Sequence, residues 1–119
     1  MKKTVVLGAT PDSSRFAYKA ARMLLEYGHE MIPVGIKKGD LFGKKILNDQ
    51  PTIEEVDTIT LYVGPQNQVD LYDYILSLKP RRIIFNPGTE NEELFKMAKS
   101  NNIEIVIGCT LVMLSVGTY

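Results

Sequence analysis

Short apolar segments alternate with stretches of helical periodicity from one end of the chain to the other. The apolar segments span residues 4–8, 31–34, 58–63, 82–85 and 103–107. They are rich in β-branched residues and are apolar at consecutive positions, which is typical of strands buried on both faces. Strands of this kind, separated by helices, predict a parallel sheet that is covered by helices on both sides.

The first segment between strands has the pattern of an amphipathic helix. Its apolar positions lie on one face, opposite a charged face, and they are Ala17, Ala20, Ala21 and Leu24. Small alanines on that face allow the helix to lie close against the sheet. Gly28 follows at the position of a helix C-cap.

Three further helices are predicted along the chain. One covers 66–78 and stops before Pro80, and the last covers the apolar run 110–117. Between them, a capping box at 89–92 starts a helix that runs to about Ser100. The segment 39–55 is less regular, with a short strand expected at 45–47.

Together these elements predict an α/β fold, with a single Rossmann-type, doubly wound domain over residues 1–119. The five parallel strands are expected in the order 3-2-1-4-5, with helices on both faces. Pro33 lacks a backbone N–H, which favours an edge or strand-end position for the second strand.

Composition narrows the class of protein. The 14 Lys and Arg residues balance 14 Asp and Glu residues, so no broad basic face for nucleic acid is expected. No stretch approaches the roughly 20 apolar residues of a membrane span. A single cysteine cannot form an internal disulfide, which fits a reducing compartment. These features predict a cytoplasmic protein with no nucleic-acid, membrane or metal partner.

The loop after the first strand, residues 8–15, is a candidate phosphate site. Ligands of open parallel sheets bind beyond the carboxyl ends of the strands. The loop has Gly8 at the first position of G-x-G-x-x-G, but Thr10 and Ser13 at the second and third. The helix that follows offers free amides, and Ser13, Ser14 and Arg15 add donors for a phosphate. In the alternative interpretation, Asp12 or Ser13 is only an N-cap and Arg15 is solvated.

The loop after the second strand bears on the identity of the ligand. A domain that binds NAD usually carries an acidic residue here, whereas this chain has Gly35, Ile36 and Lys37. An acid repels a phosphorylated ribose and a lysine attracts it, so the sequence favours coenzyme A or NADP over NAD. The alternative is that Lys37 and Lys38 form a solvated turn.

The remaining loops at this edge consist of small, turn-forming or hydrogen-bonding residues, which let a backbone approach a ligand closely. They contain Val63, Gly64 and Pro65 after the third strand, Asn86, Pro87 and Gly88 after the fourth, and Cys109 after the fifth.

These stretches resemble the small stand-alone CoA-binding domain family, which is related to the N-terminal domain of the succinyl-CoA synthetase α subunit. The resemblance covers nearly the whole chain and includes residues 5–11, 14–18, 28–34, 86–91 and 109–113. It implies a cytoplasmic Rossmann domain that holds CoA across the point where the strand order reverses.

The resemblance also implies roles for individual residues. Those expected to line the phosphate region are Gly8, Thr10, Ser14 and Arg15, and Ala9 and Tyr18 also belong to the expected cofactor-binding set. Lys37 would face the adenosine phosphate. Val63 and Pro65 would flank the nucleotide, and Asn86, Pro87 and Gly88 would line the pantetheine side.

This chain departs from the family pattern after the second strand. The family commonly reads Pro-Val-Asn-Pro-Lys, and this chain reads Pro33-Val34-Gly35-Ile36-Lys37. Without that asparagine and proline the loop is expected to be less restrained, which affects the placement of the lysine.

No catalytic constellation is visible in the sequence. His29 lies at the start of the second strand, opposite the ligand end, and the acids Glu90, Glu92 and Glu93 fit the first turn of a helix. Cys109 is either a thiol near the ligand or a small packed hydrophobe, the second being favoured.

The predicted function is therefore a non-catalytic CoA-binding or acyl-CoA-binding protein. Two alternatives remain: an NADP-binding oxidoreductase-like domain, and a CoA-binding subunit that is active only beside a partner chain. Whether the chain forms a homodimer stays open.

Overall fold

The computed structural model describes all residues, 1–119. The elements in chain order are β1 (Lys3–Leu7), α1 (Phe16–Glu26), β2 (Glu30–Val34), β3 (Asp40–Leu41), β4 (Lys44–Lys45), β5 (Thr58–Leu61), α2 (Tyr72–Ser77), β6 (Arg82–Phe85), α3 (Glu92–Ser100), β7 (Glu104–Ile107) and α4 (Thr110–Val116). None of the helices has the length and apolar character that crossing a bilayer requires.

Five parallel strands form the central sheet, which confirms the predicted α/β, Rossmann-type class. The predicted strand order is wrong in one respect. The third long strand, β5, was expected outside β2, but it pairs with β1 on the other side, so the observed order is β2-β1-β5-β6-β7.

The position outside β2 is occupied by the segment that follows a small antiparallel hairpin of β3 and β4. There Leu47 makes a single parallel bridge to Val34. The Leu47 amide donates to the Pro33 carbonyl at 2.9 Å, and the Gly35 amide donates to the Leu47 carbonyl at 3.1 Å. Since this segment covers the outer edge of β2, β5 takes the free edge of β1.

Pro33 lies on the edge strand of the five-stranded sheet, which is one of the two positions that its missing N–H favours. Its carbonyl faces Leu47, on the side away from β1. Because the N and C=O of one strand residue point to the same side, the missing N–H of Pro33 also faces outward and removes no bond from the β1–β2 ladder.

Helices cover both faces of the sheet, and each face has its own core. Val5 and Leu7 of β1 pack into one cluster with Ile75 of α2 and Leu94 of α3. Val6 points to the opposite face, where the second cluster contains Ala17, Ala21 and Leu24 of α1 and Leu114 of α4. The alternation follows from the two-residue repeat of a strand, and it explains why consecutive residues of β1 are buried.

The second predicted helix is shorter than the pattern indicates. Residues 66–78 were predicted as one helix, but the chain forms two 3-10 turns, Pro65–Asn67 and Val69–Leu71, before α2 begins. Gln68 lies between the two turns with its side chain fully buried and bonded to two other loops. These bonds connect Gln68 to the loops after β5 and β6, and the chain forms two short turns around Gln68 in place of a continuous helix.

The start of α3 also differs from its prediction. Asn91, rather than Thr89, is the N-cap, and its side chain accepts a hydrogen bond from the Glu93 amide at 3.1 Å. The Thr89 hydroxyl instead donates to the Asn86 carbonyl at 2.8 Å. The helix therefore begins two residues later than predicted, and those two residues belong to the loop after β6.

His29 lies at the amino edge of the sheet, as the sequence predicts. Its Nδ1 accepts a hydrogen bond from the Lys2 amide at 2.9 Å, and its ring lies 4.8 Å from the ring of Tyr119. Burial lowers the pKa of His29, and the positive charges of Lys2 and Arg82 lower it further. The accepted hydrogen bond likewise requires Nδ1 to be unprotonated.

This arrangement predicts that stability decreases as the pH falls below the ordinary pKa of histidine, about 6.5. The pKa of His29 is lower in the folded state, so the unfolded chain takes up a proton at a higher pH than the folded chain does. The free energy of unfolding therefore decreases as the pH falls below that value. Urea unfolding between about pH 8 and about pH 5.5 measures the effect, because most carboxylates stay ionised in this range. The chain has one histidine, so His29→Gln should remove the slope. An equal slope in that variant would contradict the assignment.

Candidate functional site

Two adjoining clefts open at the carboxyl edge of the sheet. The first, called here the apolar cleft, has a volume of about 520 Å³, and the second, called the polar cleft, has a volume of about 670 Å³. Four residues line both clefts: Gly8, Ile36, Val63 and Asn67. The two clefts are therefore continuous around the ends of β1, β2 and β5.

The apolar cleft lies between the ends of β1 and β2 and the segment that leads into α2. Its apolar lining consists of Leu7, Val34, Ile36, Val63, Leu71 and Tyr74. Polar groups lie among them, and these are Asp49, Gln50, Asn67 and Asp70. An apolar cleft with a few polar side chains suits a flat aromatic group that carries hydrogen-bonding atoms.

The polar cleft begins where the loops after β1 and β2 approach each other. Gly8 has a φ of +100°, and a Cβ atom built on it would lie 3.0 Å from the carbonyl carbon of Tyr62. A Cβ atom on Gly35 would lie 3.2 Å from the backbone nitrogen of Ala9. Glycine at both positions thus permits the close approach of the two loops.

The start of α1 forms one side of the polar cleft, through Arg15, Phe16 and Ala17. The N-cap residue, Arg15, makes no side-chain capping bond. Asp12 instead accepts hydrogen bonds from the Ser14 amide at 3.0 Å and the Ser14 hydroxyl at 2.7 Å. The first-turn amides of α1 therefore have no capping side chain, and such amides bind anions.

Positive side chains predominate around the polar cleft. Arg15, Lys37 and Lys38 line it, and Asp12 is the one carboxylate among the lining residues. The bonds from Ser14 lower the pKa of Asp12, and the charges of Arg15 and Lys37 lower it further. Asp12 is therefore ionised near neutral pH and is already bonded to Ser14, which leaves the three cations to attract an anion.

The far wall of the polar cleft is the loop after β6, with Pro87, Gly88 and Thr89. Gln68 connects this wall to the loop after β5. Its side-chain amide donates to the carbonyls of Val63 and Thr89, both at 2.8 Å. Its side-chain oxygen accepts from Asn91 at 2.8 Å. One fully buried side chain therefore fixes the spacing between two walls of the site.

The phenol of Tyr62 and two glutamates after β6 are not poised for proton transfer. Burial raises the pKa of Tyr62 to about 12, so its hydroxyl keeps its proton at neutral pH. Glu90 accepts from the Gly88 amide at 2.9 Å, and Glu93 accepts from the Tyr72 hydroxyl at 2.9 Å. Both carboxylates thus have structural partners. No three His, Cys, Asp or Glu side chains come together as a potential metal site.

The structure brings most of the sequence-predicted site residues to the two clefts. Those that line them are Gly8, Ala9, Thr10, Arg15, Gly35, Ile36, Lys37, Val63, Gly64, Pro87 and Gly88. Six others line neither cleft: Ser13, Ser14, Tyr18, Pro65, Asn86 and Cys109.

Two of these six, Tyr18 and Asn86, have clear structural roles. Tyr18 packs against Phe42 with ring centroids 5.0 Å apart. Asn86 is buried, and its side chain donates to the Leu61 carbonyl and accepts from the Thr110 amide, each at 2.9 Å. Asn86 thus connects strand ends beneath the cleft, and its predicted contact with a ligand stays a prediction. Cys109 is half-buried and is the N-cap residue of α4, and its predicted contact with a ligand likewise stays a prediction.

Sequence reasoning missed the residues that form the outer part of the apolar cleft. Asp49 and Gln50 belong to the irregular segment before β5, whereas Asp70, Leu71 and Tyr74 belong to the turns and helix after it. None of them directly follows a strand of the main sheet, so the rule that locates ligands at strand ends did not point to them.

Comparisons with known proteins identify the family and the fold of the chain. The sequence model of a family described as a CoA binding domain matches residues 2–115. The crystal structure of an uncharacterized protein superposes on this chain with a TM-score of 0.99 and a sequence identity of 65%. The match covers 100% of this chain and 98% of that protein's chain. A protein from Thermus thermophilus is 26% identical, with a TM-score of 0.85 over 99% of this chain and 91% of its own.

The fold also occurs within a larger enzyme. A dinucleotide-forming acetyl-coenzyme A synthetase from Ca. Korarchaeum cryptofilum, solved with phosphate and ADP, is 20% identical. The match covers 89% of this chain and 25% of the synthetase, with a TM-score of 0.70, and shows a likeness of fold. No protein of curated function matches the sequence significantly.

The position of Gln68 between two walls predicts a large effect of its removal. Gln68→Leu leaves the carbonyls of Val63 and Thr89 buried without this donor, which should lower the free energy of unfolding by roughly 2–4 kcal/mol. The exposed neighbour Gln66 is the matched control, and Gln66→Leu should change it by less than about 0.5 kcal/mol. Urea unfolding compares the two, and similar small changes would contradict the bridging role.

Proposed function

The chain belongs to the CoA-binding domain family, and we propose on that basis that it binds coenzyme A or an acyl-CoA across the two clefts. The observation that carries the proposal is the combination of an apolar cleft with a continuous cleft of positive charge at the carboxyl edge of a Rossmann sheet. CoA joins an adenine ring, three phosphates and a pantetheine arm, and each part has a chemically matching region in the site.

The adenine ring occupies the apolar cleft in this proposal. Leu71 and Tyr74 on one side and Val34 and Val63 on the other supply apolar surface for a flat ring. The carboxylates of Asp49 and Asp70 lie in the same lining, and they are acceptors suited to an exocyclic amino group.

The phosphates lie in the polar cleft. The diphosphate faces the start of α1, where uncapped amides and Arg15 provide donors and positive charge. Thr10 also lines this cleft, in place of the second glycine of the dinucleotide pattern. The phosphate on the ribose faces Lys37, in the loop that joins the two clefts.

The pantetheine arm runs along the loop after β6, past Pro87 and Gly88. Both residues are exposed. The cleft is open along this wall, so an acyl group on the thiol end is accommodated beyond it.

The protein is proposed to bind this ligand without transforming it by itself. His29 lies at the opposite edge of the sheet, the hydroxyl of Tyr62 stays protonated, and the nearby glutamates are engaged with Gly88 and Tyr72. NADP, the other ligand with a phosphorylated ribose, has no support from the family match.

A panel of ligands tests the proposal directly. CoA should raise the melting temperature of the protein because it binds only the folded state. Dephospho-CoA, which lacks the ribose phosphate, should raise it less, and NAD and NADP should have little effect. A shift produced by NADP and not by CoA would overturn the proposal, as would the absence of any shift with CoA.

Charge reversal at Lys37 tests the contact with the ribose phosphate. Lys37→Glu should weaken CoA binding by roughly 1–3 kcal/mol, through the loss of a charge-assisted contact and the added repulsion. It should leave the affinity for dephospho-CoA nearly unchanged. Lys96→Glu, an exposed change on α3 with the same difference in charge, is the control for general electrostatics. Calorimetric titration measures the affinities, and equal losses for the two ligands would remove Lys37 from the site.

A further inference from the structure

The loop that carries Lys37 has few restraints of its own. Residues 35–39 follow β2 without regular secondary structure, and the loop begins and ends with glycine. Its apolar member Ile36 is 92% exposed. Such a loop has high conformational freedom, so a lysine on it is held for a ligand only if another part of the chain restrains it.

A neighbouring segment, residues 46–48, restrains both ends of this loop, and we call it the strap. The Gly35 amide donates to the Leu47 carbonyl at 3.1 Å, and the Ile46 amide donates to the Gly39 carbonyl at 2.9 Å. The strap is itself anchored, because Ile46 is 1% exposed and packs in the core cluster beneath α1.

Asn48 restrains the middle of the loop. Its side-chain amide donates to the Gly35 carbonyl at 2.6 Å and to the Lys37 carbonyl at 3.1 Å. One NH₂ group thus bonds two carbonyls of the loop, one of them the carbonyl of Lys37 itself. No other side chain donates to the backbone of this loop.

We infer that Asn48 is a positioning residue for recognition of the ribose phosphate: it fixes the backbone of Lys37 so that the lysine side chain points along the polar cleft. The inference rests on the proposed binding of CoA and assigns the phosphate selectivity to a pair of residues. It also gives a physical account of the sequence Gly35-Ile36 at this place. The loop has few restraints of its own, and the side chain of Asn48, eleven residues beyond Lys37, restrains it instead.

A double-mutant cycle tests this inference. Affinities for CoA and for dephospho-CoA are measured by calorimetry for the wild type, Asn48→Ala, Lys37→Ala and the double variant. Asn48→Ala should weaken CoA binding roughly five- to tenfold and dephospho-CoA binding less than about twofold. In the Lys37→Ala background, Asn48→Ala should change CoA binding by less than about twofold, because the lysine through which it acts is gone.

The outcomes separate the inference from the function on which it rests. Failure of the wild type to bind CoA would overturn the proposed function. Binding of CoA with selectivity over dephospho-CoA, but equal losses for both ligands in Asn48→Ala, would leave the function standing and overturn the role of Asn48. Additive effects of the two substitutions would overturn it as well.

Two controls separate positioning from general loss of structure. Asn48→Ser has a side chain too short to reach both carbonyls, so it should reproduce the loss of selectivity if the alanine variant does not fold. Asn101→Ala removes an exposed amide at the end of α3 and should leave both affinities unchanged. A selectivity in Asn48→Ser equal to that of the wild type would contradict the inference.

Discussion

The carbonyl oxygen of Val34 accepts hydrogen bonds from the amides of both Gly8 and Ala9, at 2.9 and 3.1 Å. This pair of bonds draws the loop after β1 against the loop after β2 at the carboxyl edge of the sheet. The contact leaves little room for a side chain at Gly35, whose Cβ atom would lie 3.2 Å from the backbone of Ala9. The apolar cleft and the polar cleft both depend on this junction, since each is lined by residues from the two loops.

Around this junction, buried polar side chains set the geometry and exposed charged side chains line the polar cleft. Gln68 and Asn86 are buried and bond to backbone groups of neighbouring loops. Arg15 and Lys37 are exposed along the polar cleft. A buried amide loses much if its partners are removed, so it holds a fixed position. An exposed cation keeps its hydration and gains mainly when an anion arrives.

The two edges of the sheet differ in openness. At the amino edge, Arg82 is buried, donates to the Thr58 hydroxyl at 2.8 Å, and lies 4.5 Å from the centre of the Tyr119 ring. His29 packs against the same ring. The amino edge is thus filled by its own side chains, whereas the carboxyl edge has two continuous clefts, which agrees with the general placement of ligands in parallel sheets.

The sequence by itself determined the class of fold and the inner part of the site. Consecutive apolar positions, the alanine face of α1 and the edge position of Pro33 each follow from short-range patterns, and the loops at strand ends follow from the rule for parallel sheets. Gly8, Gly35 and Lys37 were located in this way.

Only the tertiary structure decided the strand order, the outer wall of the apolar cleft and the restraint on the lysine loop. Leu47 takes the outer edge of β2 through one bridge, Gln68 bonds loops after two different strands, and Asn48 bonds a loop more than ten residues away. The contacts of Leu47 with Val34, of Gln68 with Thr89 and of Asn48 with Lys37 join segments that are distant in sequence, and local periodicity does not report them. Local pattern reports the face on which a residue lies, but the partner that it meets there depends on how the whole chain packs.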